Sequence, residues 1–186
     1  MWQVAKEAHL PLSLHLGTGK GVGDKVKPAN SNKRSPFMTR NYVNAIQEVQ
    51  RSFTDIILSG VLERFPHLTL VSAENDSGWF PHYLYRPDHA YEKFNEMSDE
   101  PLPLKPSVYV RRQVMVTFQD DPVGPKASEF FGEDNYMWAS DFPHSDCTWP
   151  NSRKVIESGF GGVSRQIRDK IVCGNAARFY GVEIGG

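Results

Sequence analysis

The chain has 186 residues, 39% of them hydrophobic, and a formal net charge of -1. That length suits one domain with its own core, and the near-neutral charge gives no electrostatic case for nucleic acid or an anionic membrane surface. No apolar run reaches the ~18 residues of a membrane span, and the opening residues, interrupted by Lys6 and Glu7, do not read as a signal peptide. Cys147 and Cys173 stand apart without C-x-x-C spacing, so both are expected to be reduced, in a cytoplasmic protein.

Taken in chain order, the first regular element is a strand in the segment from Leu10 to Gly19. Alternation sends Leu12, Leu14 and Leu16 to one side and Ser13, His15 and Gly17 to the other, so His15 ends its strand facing a polar interior. The glycine-rich run from Gly17 to Gly23 lacks phosphate-loop spacing. It is expected to form a lid whose neighbours Lys25, Lys27, Lys33 and Arg34 are available to a carboxylate substrate. From about Arg40 to Phe65, Val43, Ile46, Val49, Phe53, Ile56, Ile57 and Leu62 recur at helical spacing and predict one or two amphipathic helices.

A second strand is expected in the segment from Leu68 to Trp79, with Leu70, Ser72 and Glu74 on one face and Thr69, Val71 and Ala73 on the other. Trp79 to Asn95 reads as a helix that Pro87 should kink or divide. The prolines from Pro101 to Pro106 mark a loop, and Arg111 and Arg112 read as loop arginines able to meet an anionic substrate. Gln113 to Gln119 is a third strand, followed by a short helix through Phe130 and Phe131. The fourth, Tyr136 to Ala139, breaks into a polar loop at Ser140 and Asp141; the period of two puts Asp141 on the face of Met137 and Ala139, with Tyr136 and Trp138 opposite. Helices from Asn151 to Ser158 and from Ser164 to Val172 complete a strand-then-helix order repeated four times.

Three strands therefore each deliver an acid or a histidine at the same relative position, as a (β/α)8 barrel does at its carboxyl-terminal face. The sequence also resembles the amidohydrolase-related metal enzymes of the amidohydrolase superfamily, the aminocarboxymuconate-semialdehyde decarboxylase group. The resemblance rests on LSLHLG from Leu12, on SGVLERFPHLTLVSAENDSGWFPHYLYRPD from Ser59, on WASDFPHSDCTWP from Trp138 and on GNAARFYG from Gly174. It implies a TIM-type barrel of which residues 1–186 are one partial domain, the second half with strands 5 to 8, and a mononuclear metal site at the barrel mouth.

In that family the first strand carries a His-x-His pair, the fifth a histidine and the eighth an aspartate. His15 matches the fifth-strand ligand and Asp141 the eighth; Glu74 falls where better-studied decarboxylases have a histidine. No His-x-His occurs in the chain, so a metal held by His15 and Asp141 is expected to bind weakly unless another chain completes the shell. Zinc is the first expectation for the divalent ion, with manganese or iron as alternatives. Asp141, Glu74 and His144 are the expected catalytic groups. Trp79 and Trp149 are read as packing residues and as candidate substrate-pocket residues.

The expected activity is hydrolysis of a small carboxylated or carbonyl substrate, in which a metal-activated water loses its proton to Asp141 while Glu74 or His144 steadies the transition state. The alternative is non-oxidative decarboxylation of an aromatic or unsaturated acid, with Asp141 delivering the proton to carbon. A third reading is an inactive half-barrel that serves as a pairing module. Both edge strands of a half-barrel are rich in apolar residues, which predicts a homo-oligomer or pairing with an amino-terminal half.

Overall fold

The structure is a computed structural model that describes residues 1–15 and 37–185, and among those residues it is a layer of helices against a parallel sheet. Helix α1 (Trp2–Glu7) leads into strand β1 (Leu12–His15), α2 (Phe37–Leu58) and the short α3 (Val61–Arg64). Strand β2 (Leu70–Ala73) is followed by α4 (Phe80–Phe94) and α5 (Pro106–Gln113), and β3 (Val114–Phe118) by α6 (Gly124–Phe131). Strand β4 (Tyr136–Trp138) precedes α7 (Ser152–Gly159), α8 (Arg165–Asp169), a π turn over Lys170–Gly174 and α9 (Asn175–Tyr180). The four strands pair in parallel in sequence order, with Leu12 opposite Leu70, Leu70 opposite Val114, and Val116 opposite Tyr136. This α/β arrangement is consistent with part of a TIM barrel.

The helices form where apolar side chains recur at the helical period. Val49, Phe53, Ile56 and Ile57 bury one stripe of α2; Phe80, Tyr83, Leu84 and Pro87 bury one of α4; Pro106, Tyr109, Val110 and Gln113 bury one of α5. Of the two expected outcomes at Pro87, division does not occur: α4 runs through it, and the buried proline packs in the stripe that carries the helix against the sheet. Helix α5 was hidden by the proline-rich approach to it. Pro106 occupies its first turn, where the missing N–H costs nothing, so the proline-rich loop ends there and a helix follows. Arg111 and Arg112 therefore lie on that helix rather than on a loop. Arg111 donates to the carbonyls of Phe130 and Phe131 and Arg112 to that of Leu62, so both tie elements together.

The two faces of the sheet divide as the alternation predicts for β1, β3 and β4. Leu12, Leu14, Leu70, Val114, Val116, Phe118, Tyr136 and Trp138 meet the helices in the main core. Val71, Met115 and Met137 form a smaller cluster on the other face, against Ala73 and the α9 residues Ala176 and Phe179. Inside the main core an aromatic chain crosses the layers: Phe53 to Phe80 at 5.7 Å, Phe80 to Phe131 at 4.8 Å and Phe131 to Tyr136 at 5.5 Å between ring centroids.

Buried amides secure the amino-terminal ends of the strands. Gln113 donates to the carbonyls of Phe65 and Leu68, Asn135 to those of Arg111 and Val114, and Asn175 to those of Glu133 and Tyr136. Each thereby supplies a side-chain donor to two backbone carbonyls. Among the described residues no helix is long and apolar enough to cross a membrane.

Phe80 contacts aromatic neighbours on both sides of the layer and is fully buried, so Phe80→Ala is expected to lower the unfolding free energy by about 3–5 kcal/mol. Urea denaturation followed by far-UV circular dichroism checks it; a loss near zero would show that this aromatic chain is not part of the cooperative core.

Candidate metal centre

The polar residues at the carboxyl ends of β1, β2 and β4 meet on the small-cluster side of the sheet. His15 Nε2 lies 2.8 Å from Glu74 Oε2. His144 Nδ1 lies 3.0 Å from Asp141 Oδ2 and 3.7 Å from Glu74 Oε1. One donor atom from each of Glu74, Asp141 and His144 falls within 4.8 Å of the others. The Glu74 side chain is 11% exposed and Asp141 22%, whereas His15 and His144 are 52% and 58% exposed, so the acids form the floor and the imidazoles the rim.

Glu74 reaches this place by breaking the strand rule. Alternation puts it with Leu70 and Ser72 toward the helices, but β2 ends at Ala73 and Glu74 takes φ +57. That left-handed residue turns the carboxylate to the His15 side. Its backbone N–H is held by Thr117 Oγ1 at 3.1 Å, and Thr117 in turn approaches the Ser72 carbonyl at 3.3 Å. The next residue, Asn75, is buried and donates from Nδ2 to the carbonyls of Leu14 and Ala73, joining the ends of β1 and β2 behind His15 and Glu74.

Asp141 is left-handed as well, at φ +58. His144 N–H donates to the Asp141 carbonyl at 2.8 Å and Thr148 N–H to that of Ser140 at 3.0 Å, which folds the loop so that the imidazole returns over the carboxylate. Asp141 Oδ2 is buried and has no hydrogen-bond partner among the described residues, although His144 Nδ1 lies 3.0 Å away.

A second carboxylate organises the loops beside the centre. Asp121 is buried after β3; its Oδ2 accepts from the N–H groups of Ser77 and Gly78, and its Oδ1 from those of Val123 and Gly124. The two loops approach so closely there that a Cβ on Gly124 would stand 1.9 Å from Ser77 Oγ, and one on Gly78 would stand 2.6 Å from Val123 Cβ. Asp76, in the same stretch, is exposed in outline, yet desolvation of its carboxyl and then the charges of Asp121, Asp120 and Asp146 push its pKa up to about 6.

Of the residues singled out in the sequence, His15, Glu74, Asp141 and His144 come together. Trp79 turns to the helix layer, packing on Phe80 and Tyr83 while its indole donates to the Asn75 carbonyl. Trp149 is exposed and meets Phe142 edge-on at 6.0 Å, on the loop that carries Asp141. The glycine-rich run expected to form a lid, with Lys25, Lys27, Lys33 and Arg34, lies outside the described residues. Sequence reasoning passed over Asn75, Thr117 and Asp121. Asp121 carried the same signal that marked Asp141, an acid just beyond a parallel strand's carboxyl end.

A sequence profile described as amidohydrolase matches residues 1–182. The chain belongs to the amidohydrolase family. Solved structures agree on the fold: an amidohydrolase from Mycobacterium avium subsp. paratuberculosis is similar at a TM-score of 0.75 and 22% identity, over 96% of this chain and 44% of that one. A 5-carboxyvanillate decarboxylase from Sphingomonas paucimobilis is similar at 0.68 and 23% identity, over 98% of this chain and 52% of that one. A dihydroxybenzoic acid decarboxylase from Polaromonas with bound manganese and 2-nitroresorcinol is similar at 0.69 and 18% identity, over 99% and 53%. This amidohydrolase-family chain thus spans about half the length of those relatives. No curated protein matches the sequence.

Asp121→Ala leaves four backbone N–H groups without their acceptor and is expected to lower stability by about 3 kcal/mol, with Asp121→Asn costing less. Chemical denaturation of the two variants tests this; equal stability of the alanine variant and the parent would mean that water replaces the carboxylate without loss.

Proposed function

We propose that this chain contributes the acid–base and metal-holding face of a divalent-metal-dependent carboxy-lyase acting on a small aromatic or unsaturated carboxylic acid. The observation that carries the reading is the Glu74, Asp141 and His144 constellation, with one buried carboxylate oxygen that no hydrogen bond satisfies, at the carboxyl end of a parallel sheet in an amidohydrolase-family fold. Several similarly folded proteins are decarboxylases of hydroxylated aromatic acids, which favours loss of carbon dioxide over hydrolysis.

The residues fit a cation. Two carboxylates and an imidazole form a hard, anionic donor set, and the unbonded Asp141 oxygen is a ligand atom lacking a partner. That set favours manganese over the zinc named first from the sequence. A bound ion would neutralise and orient the substrate carboxylate or an adjacent hydroxyl.

The protein groups then supply the proton and the surface. Phe142 and Trp149 offer an exposed aromatic corner beside Asp141 on which a flat ring can rest. As the bond to the carboxyl carbon breaks and carbon dioxide leaves, the ring carbon keeps the electron pair and takes a proton from Asp141. Asp141 then regains a proton from the open rim, where His144 is half exposed. His15 holds the far oxygen of Glu74 and fixes the floor of the site.

Hydrolysis is the second reading, favoured by the same unbonded Asp141 oxygen, which is placed to accept a proton from water. The reading also takes the four strands as strands 5 to 8 of a barrel, with the remaining strands supplied by another segment or another copy; the chain's half-length match to its relatives supports this.

With manganese and carboxylated phenols as substrates, release of carbon dioxide is expected, reduced by about 100-fold or more in Asp141→Asn. Hydrolysed product without carbon dioxide would replace this reading with the second one, and an unaffected Asp141→Asn enzyme would remove Asp141 from the chemistry.

A further inference from the structure

Building on the reading of the strand-end cluster as a metal-dependent site, we infer that Tyr42 is a positioning residue for it: its phenol fixes Asp146 and, through Asp146, the loop that carries Asp141 and His144. The bond runs from Tyr42 Oη to Asp146 Oδ2 at 2.5 Å, between the amino-terminal part of α2 and the loop after β4. A hydroxyl that donates to an ionised carboxylate makes the shorter and stronger kind of hydrogen bond. The carboxylate accepting the proton, and then partial desolvation, hold the phenol above its ordinary pKa, so Tyr42 remains a donor.

The loop has little else to fasten it. From Phe142 to Asp146 every residue is exposed, so no packing against the core fixes this arc. Its backbone closes on itself, with His144 N–H on the Asp141 carbonyl, Cys147 N–H on that of His144 and Thr148 N–H on that of Ser140. Those bonds shape the loop without tying it to a neighbour. Thr148 is buried and its hydroxyl meets that of Ser152 at the start of α7, which anchors the returning end. Beyond the approach of His144 to Glu74, the bond from Tyr42 is what joins the arc to another element among the described residues. The Asp146 charge also acts on Asp76, and Tyr42 feels Asp76 and Asp120 as well, so acids from the loops after β2, β3 and β4 surround the phenol. Without a donor at Asp146, repulsion among like charges favours an outward displacement of the loop.

Helix α2 is built to bring the donor to this place. Its buried stripe begins at Val49, and from Tyr42 to Glu48 no residue is buried. At 1.5 Å per residue the helix extends about 10 Å past its first buried position to reach Tyr42. Tyr42 is 56% exposed on that extension, so core packing does not call for an aromatic ring there, and removing the hydroxyl leaves the core untouched.

Hydrogen exchange followed by NMR on the metal-free chain tests the positioning directly. In Tyr42→Phe and in Asp146→Ala the amides of His144, Cys147 and Thr148 are expected to exchange about tenfold faster, as for the loss of one charge-assisted hydrogen bond, while that of Val116 in the sheet keeps its rate. The double variant is expected to exchange no faster than either single one, and Asp146→Asn, which keeps an acceptor for the phenol, stays nearer the parent. Titration with Mn2+ read by electron paramagnetic resonance adds the functional readout. Affinity is expected to fall about tenfold in Tyr42→Phe with the urea midpoint unchanged, as for a residue that orients ligands without touching the ion. Tyr85→Phe, the same change on the exposed face of α4, moves none of these values. Unchanged loop exchange in Tyr42→Phe, an equal rise across the sheet, or faster loop exchange with undiminished manganese affinity each overturns the inference. Failure of the parent chain to bind Mn2+ removes the metal reading instead, and the exchange comparison alone then decides the role of Tyr42.

Discussion

The arrangement at the mouth of the sheet depends on the chain leaving β2 in a left-handed conformation at Glu74. Glutamate pays a steric cost of about 1–2 kcal/mol for that backbone, since its Cβ crowds the neighbouring carbonyl. A strand continued for one more residue would be free of this strain and would point the carboxylate among the helices, where an unpaired charge is far more costly. The strained turn therefore persists because the alternative is worse, and because Thr117 and Asn75 hold it from two sides. Asp141 repeats the device at the end of β4, and the two turns together make a floor of carboxylates that neither strand would present alone.

Beneath this lies a chemical polarity of the whole sheet. At the amino-terminal ends, backbone carbonyls are met by amide donors from Gln113, Asn135 and Asn175. At the carboxyl-terminal ends, the loops turn backbone N–H groups inward, and the buried carboxylate of Asp121 accepts from four of them. Amides gather below and acids above. The end suited to cation chemistry is the end where the backbone demands acceptors, so structural and functional carboxylates share one rim, and desolvation with the neighbouring acids raises Asp76.

Much of this was legible in the sequence because periodicity is a local signal. The faces of β1 and β4 followed from alternation, and the strand-end acid rule found Asp141 and, through the same logic, His15. Glu74 was found as a residue but assigned to the wrong face, since a positive φ leaves no mark in a run such as Ala73, Glu74, Asn75, Asp76. Helix α5 was masked by prolines whose effect depends on register: Pro106 begins a helix, while Pro87 sits inside one. Asn75, Thr117 and Asp121 act through bonds to backbone atoms of other loops, more than forty residues away for Thr117 and Asp121, and no spacing within the chain announces such pairs.

Tyr42 on α2 donates to Asp146 at 2.5 Å, across a sequence separation of 104 residues. The helix that follows the first strand is thereby latched to the loop that follows the last. Neighbouring strand and helix units can collapse pairwise with short closures, but this latch has nothing to grip until all four units are docked. Closing the rim thus depends on a contact between residues far apart in the chain. A ligand bound at the rim would bridge the loops after the first and last of these strands, and so add to the same long-range closure.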